Sequence, residues 1–207
     1  MSTPSERPAA AGEPGSPLPT FDELVNDLLG LPAEEKPLRV RGMQLAQVLN
    51  AHGHELLYRA AKRVHEDGSP HLSAEHLLWA ATKVDPARTL FLKVSVDPDV
   101  VARETDKVLP VRSADTVKPA RRGLGSDAAR VIGTAHARAR ATGSSLVGPE
   151  HILDALLNEP DASVAAILDD GSVDVARLNM LTARDELRLR DGGDGVEDPQ
   201  DEQREDR

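Results

Sequence analysis

The chain says nearly the same thing twice, 75 residues apart. Ser73-Ala74-Glu75-His76-Leu77-Leu78 returns as Gly148-Pro149-Glu150-His151-Ile152-Leu153. In that register and without a gap, Leu49 meets Leu124, Leu56 meets Val131, Leu57 meets Ile132, and Ala60 meets Ala135. Arg63 meets Arg138, Gly68 meets Gly143, and Leu92 meets Ile167. Past about residue 94, matching Val96-Asp97 to Val173-Asp174 needs a loop two residues longer in the second copy. An internal duplication constrains the fold strongly, because each copy is one supersecondary unit that buries its apolar face against a neighbour.

The repeated unit reads as helical. Leu56, Leu57, Ala60, Ala61 and Val64 keep a period near 3.6, and no stretch shows sustained period-2 alternation. No sheet is therefore expected in 42–188. Whether Gly53 divides the first helical stretch is left open by the pattern. Ser73 is a helix N-cap, and Asp85-Pro86 and Asp97-Pro98 each read as an N-cap followed by proline at N1. Each copy then consists of a helix, a Gly turn, a Glu-His helix, a short helix and an Asp-capped helix. Aromatic residues make up only 2% of the chain, so the core must be aliphatic, which suits helix packing better than a sandwich. Ahead of the repeats, "TFDELVNDLLG" has a capping box at Thr20 and Glu23, an apolar face of Phe21, Leu24, Val25 and Leu28, and a stop at Gly30. The expected organisation is a Pro-rich disordered leader (1–19), a leading helix and connector (20–41), repeat one (42–109), a linker (110–123), repeat two (124–190) and a disordered acidic tail (191–207).

Several function classes lose support at this point. The net charge is −10, and residues 191–207 hold eight acids and two bases, a net of −6. That balance argues against sequence-independent nucleic-acid binding, which needs a basic surface. There is no cysteine, so neither disulfides nor thiolate metal sites are expected. His52, His54, His71 and His76 lack the spacing of a convergent metal site, so no metal and no other cofactor is expected. No nucleophile elbow or acid pair marks an enzyme. Asp169-Asp170 and Glu34-Glu35 read as solvated loop charges. No apolar run approaches the ~20 residues of a membrane span, and the N-terminus has no secretory h-region, so a cytoplasmic location is expected.

The second copy, "ATGSSLVGPEHILDALLNEPDASVAAIL" (141–168), resembles the double repeat at the N-terminus of Clp/Hsp100 unfoldases of the ClpC/ClpA type. The first copy, "EDGSPHLSAEHLLWAATKVDPARTLFL" (66–92), is a divergent version, and the likeness spans about residues 42–188. The resemblance implies an all-α fold: two four-helix units related by a pseudo-twofold axis. It also implies a non-catalytic docking platform for a Clp-type unfoldase, its substrates or its adaptors. Natural cyclic peptides that target such N-domains are a further implied ligand class. No P-loop string Gly-x-x-x-x-Gly-Lys-Ser/Thr occurs, so a free-standing N-domain protein without a motor is expected. It would act as adaptor, competitor or decoy. The alternative is a regulatory or scaffold protein that keeps the fold without the Clp connection.

The candidate binding residues are Glu75, Glu150, His76, His151, Trp79, Leu49 and Leu124. An acid in the first turn of a helix complements the macrodipole by roughly 0.3–1 kcal/mol, so Glu75 and Glu150 also have a purely local reading. In that reading His76 and His151 pack or cap. In related unfoldases of Gram-positive bacteria the matching glutamates help bind phosphoarginine, where a carboxylate pairs with a guanidinium. The family's threonine before the glutamate is Ala74 in one copy and Pro149 in the other. Trp79, opposite Asp154 in copy two, is either core or a partner anchor. Leu49-Asn50 and Leu124-Gly125 stand where family repeats often open with Phe-Thr. Because copy two keeps the Val-Gly-x-Glu-His turn, the two sites are expected to be unequal, with Glu150 dominant.

Overall fold

A computed structural model describes residues 20–31, 38–110 and 122–181. The leader, the acidic tail, Glu34-Glu35 and most of the linker lie outside the described residues.

The leading helix α1 (Phe21–Leu28) is closed at both ends by its own residues. Thr20 N–H donates to Glu23 Oε2 at 2.6 Å, and Glu23 N–H returns to Thr20 Oγ1 at 3.3 Å. At the other end Gly30 has a φ of +66°, Leu31 N–H reaches Asn26 O, and Gly30 N–H reaches Asp27 O. This is the Schellman pattern anticipated by the Gly stop. A tight hairpin follows, β1 (Arg39–Val40) with β2 (Met43–Gln44), turned at Arg41 and Gly42. It leads to the short α2 (Leu45–Val48).

Repeat one contains α3 (Ala51–Asp67), α4 (Ala74–Ala81), α5 (Ala87–Lys93) and α6 (Pro98–Val108). Repeat two contains α7 (Ser126–Ala141), α8 (Pro149–Asn158), α9 (Ala162–Asp170) and α10, helical over residues 175–181. The starts of the first three pairs differ by 75 residues and those of the fourth by 77. The extra two residues fall where the sequence register requires them. Gly68 and Gly143 end α3 and α7 with φ of +77° and +86°, a conformation that costs glycine little.

One open question is settled and one sequence expectation changes. The break before α3 falls at Leu49-Asn50 rather than at Gly53, because the Asn50 side chain caps the new helix by accepting from Gly53 N–H at 2.7 Å. Asp85 does not cap α5, which begins at Ala87. A turn already ties Arg88 N–H to Val84 O, and Asp85 Oδ1 instead accepts from the Thr89 hydroxyl. Asp97 and Pro98 do form the expected cap and N1 pair.

The expected absence of strands in 42–188 is also corrected. Besides the hairpin, β3 (His71–Leu72) pairs in parallel with β4 (Gly123–Leu124), and Leu49 bridges Val147 in parallel. Leu72 opposite Leu124 and Leu49 opposite Val147 are the same contact seen from the two copies, since 49 maps to 124 and 72 to 147. Asn50 N–H donates to Val147 O at 3.0 Å, and its counterpart Gly125 N–H donates to Leu72 O at 2.7 Å. These ladders express the pseudo-twofold axis and are too short to carry alternating side chains. The core is continuous across the repeats and aliphatic apart from the fully buried Phe91. Leu78 and Leu153, equivalent on α4 and α8, are both fully buried. Among the described residues no helix is long and apolar enough to cross a membrane.

Candidate functional site

The Glu-His phrase lies at the starts of α4 and α8, and its histidine has a definite task. A helix start leaves backbone N–H groups without partners, and a side chain at N3 can reach back to the cap residue. His76 sits at N3 of α4, where its Nδ1 accepts from Ser73 N–H at 3.1 Å and lies 2.7 Å from Ser73 Oγ. His151 does the same for α8, accepting from Gly148 N–H at 3.0 Å. Both imidazoles are buried. With Nδ1 accepting, Nε2 carries the proton, and in His76 it donates to Asp67 Oδ2 at 3.1 Å. Burial pushes the Asp67 carboxyl upward, but hydrogen bonds from His76 and Ser69 outweigh that and hold it below its ordinary 3.8. Copy two has Thr142 at the position of Asp67, so only His76 has this acid.

The glutamates at N2 differ between copies. Glu75 is half-buried in the first turn of α4. Glu150 folds back over Gly148, so close that a Cβ there would fall on its carboxylate. A side chain at 148 would therefore push the flexible Glu150 carboxylate aside, and in copy one Ser73 stands at that place. Glu150 Oε1 lies 3.0 Å from His151 Nδ1, the nitrogen already receiving the Gly148 proton. Glu150 Oε2 is buried without a hydrogen-bond partner.

Each helix start is completed by the other repeat. Leu49 of repeat one pairs with Val147, immediately before Gly148-Pro149-Glu150; Leu124 of repeat two pairs with Leu72, immediately before Ser73-Ala74-Glu75. The predicted residues thus fall into two groups, Leu49 with Glu150 and His151, and Leu124 with Glu75 and His76. Leu49 is buried and Leu124 partly so. The groups also differ in one hydrogen bond. Asp127 Oδ2 accepts from Ala74 N–H at 2.7 Å across the repeats. The corresponding pair is His52 and Pro149, and proline has no N–H to offer.

This architecture has a counterpart among known proteins. A family model for the Clp repeat (R) N-terminal domain matches residues 49–171. The chain belongs to this family. The crystal structure of the Hsp104 N-terminal domain from Candida albicans has a TM-score of 0.59 at 20% identity, covering 68% of this chain and 91% of that one. The N-terminal domain of the caseinolytic protease associated chaperone ClpD from Arabidopsis thaliana scores 0.56 at 16% identity, over 72% of this chain and 99% of that one. A chain from preliminary structural investigations of a malarial protein secretion system scores 0.57 at 20% identity, over 69% and 96%. No curated protein matches the sequence.

Within the Clp repeats, the aromatic of copy one and the acid of copy two meet the same arginine. The Arg63 guanidinium lies 5.4 Å from the centre of the Trp79 ring, and Lys83 Nζ lies 5.9 Å from it. The equivalent Arg138 binds Asp154 Oδ2 at 2.8 Å, and Asn158, at the Lys83 position, donates to Asp154 Oδ1. Trp79 is half-buried and packs on the core, while Asp154 is buried. Copy one thus has two cations over a half-buried indole ring where copy two has a closed ion pair.

Sequence reasoning missed Asp67, Asp127 and Arg122. Asp67 is four residues from Arg63 and looks like an exposed helix charge. Arg122 is buried, with its Nε bonded to Ser69 O at 3.0 Å, tying the start of repeat two to the end of α3. Asp127 had a detectable signal, because the one Glu-His phrase with a backbone donor before its glutamate is paired with the copy that has an acid. Among the described residues no three His, Asp or Glu side chains converge as metal ligands. His54 instead stacks on Phe21 with ring centroids 4.2 Å apart, and its Nε2 lies 3.1 Å from Ala46 O.

Proposed function

We propose that this protein is a non-catalytic protein- and peptide-binding module of the Clp protease and chaperone system, cytoplasmic, and acting as adaptor, competitor or decoy for an unfoldase N-domain. Its partners are a Clp-type unfoldase, that unfoldase's substrates or adaptors, and cyclic peptides that target such domains. The observation that carries this reading is the pair of cross-repeat helix starts, each presenting a glutamate at N2. Glu150 is the stronger of the two in this reading, because copy two keeps the Val-Gly-x-Glu-His turn of the family while copy one does not. Leu49 and Leu124 form the apolar floors of the two starts, and Trp79 supplies a half-buried aromatic ring on the first Glu-His helix. His76 and His151 act by holding the helix starts in shape.

The test uses the full chain in a reconstituted Clp unfoldase–protease reaction on an unfolded fluorescent substrate. Titrating the protein should change the degradation rate saturably. Glu150→Ala should weaken that effect by about 1–3 kcal/mol, as expected for loss of a charge-assisted bond, and Glu75→Ala by less. Equal losses would refute the asymmetry. No effect at any ratio of protein to unfoldase would refute the Clp role and leave the regulatory or scaffold reading.

A further inference from the structure

Helix α1 lies outside the family match, which begins at Leu49. It runs along α3. Phe21 stacks on His54 near the start of α3, and Leu29 O accepts from Arg122 N–H beside the turn that follows α3. Val25 and Leu29 are fully buried against the repeats. The adjoining row of the same helix is a poor fit. Asn26 is only 4% exposed and Asp22 is partly buried, yet Asp22 Oδ1 and Asn26 Oδ1 are both buried without a hydrogen-bond partner. Burial raises the Asp22 carboxyl above its ordinary value, against the opposing charge of His54. Orphaned oxygens at i and i+4 weaken the docking of an otherwise apolar face.

The helix is also self-contained. Its capping box and Schellman turn satisfy its terminal backbone groups internally, so undocking leaves few of them stranded. We propose that the face of α3 beneath α1 is a helix-binding groove, and that α1 is its built-in, displaceable occupant. The favoured partner is an amphipathic helix with α1's apolar spacing and apolar residues in place of Asp22 and Asn26. The proposal uses none of the glutamate-bearing helix-start residues and is read by hydrogen exchange, so its failure is distinguishable from failure of the Clp reading.

Hydrogen exchange on the full chain tests it. The amides of residues 25–31 should exchange faster than those of α3, through a local opening. Asn26→Leu should slow them by about tenfold, the equivalent of the ~1.4 kcal/mol gained on removing one buried orphan group, with α3 and α7 unchanged. Asn26→Ala should act in the same direction and covers the case in which leucine disturbs packing. A synthetic peptide of residues 18–31 carrying Asp22→Leu and Asn26→Leu should bind the native full chain and strip protection from α1 alone. The proposal is overturned if α1 amides exchange only as slowly as those of α3, or if neither Asn26 variant slows them. It is equally overturned if millimolar peptide does not bind, or binds and leaves α1 protected.

Discussion

Removing the Asp127 carboxylate should expose how the two repeats are joined. Asp127 accepts the N–H of Ala74, the first residue of α4, at 2.7 Å across the repeat boundary, and Ala74 is 1% exposed. Asp127→Ala leaves that donor buried and unpaired at a helix start. A hydrogen bond to a charged group is worth about 1.5–3 kcal/mol, and the dipole contribution at the α4 N-terminus roughly 0.3–1 kcal/mol more. With partial overlap between the two, the expected loss is about 2 kcal/mol. For a domain of this size that lowers the melting temperature by roughly 4–8 °C. The partner substitution separates this bond from general damage. Ala74→Pro copies the second repeat, removes the donor, and places proline at N1, where it is tolerated. The preceding Ser73 already has an extended backbone, as proline requires of its neighbour. The double variant Ala74→Pro/Asp127→Ala should therefore recover to within about 1 kcal/mol of the native protein, because both partners are gone. Urea denaturation of the four species measures the coupling. A double variant as unstable as Asp127→Ala alone would refute the assigned role.

Three further outcomes follow from the geometry. Leu78→Ala and Leu153→Ala should each destabilise by about 2–5 kcal/mol in chemical denaturation through a buried cavity, and similar losses are expected because the two positions are equivalent. Asp67→Asn should lower stability at neutral pH by about 1–3 kcal/mol. Because the Asp67 carboxyl is held below 3.8, its contribution is fully present above that value and is lost as pH falls below it, so acid-unfolding curves of native and variant protein should converge there. Trp79→Ala should change partner binding in the degradation assay more than Asp154→Ala, whose carboxylate is enclosed with Arg138; the reverse order would remove Trp79 from the binding surface.

Most of the helical plan was legible because its signals are local. Thr20 with Glu23, Gly68 with Gly143, and Asp97 with Pro98 announce their caps within a few residues, and the 75-residue register located both copies together with the loop difference between them. Asp85 misled because the same Asp-Pro pair also fits a turn, and a nearby threonine hydroxyl took its carboxylate. The Leu49-Asn50 break was hidden because the apolar spacing runs on across it and left the role of Gly53 open. For the candidate site, the sequence offers residues but not their wiring. His76 and His151 occupy the place where glutamate or glutamine usually closes a capping box, so their task appears only with the backbone in view. Leu49 and Leu124 were visible as repeat openings, but only the folded chain shows that each serves the other copy's helix.

The exchange of bridges between repeats carries a consequence for ancestry. Contacts of the form 49 with 147 and 72 with 124 are those that two identical half-length chains would make about a true dyad, each patch meeting itself. Fusing such a homodimer would give this topology directly. The present halves have since parted ways. Repeat one alone would set Ala74 N–H against another His52, and repeat two alone would set Asp127 against another Pro149, with no proton to share. Only the mixed pairing makes the bond, so a once self-complementary surface now distinguishes its two sides.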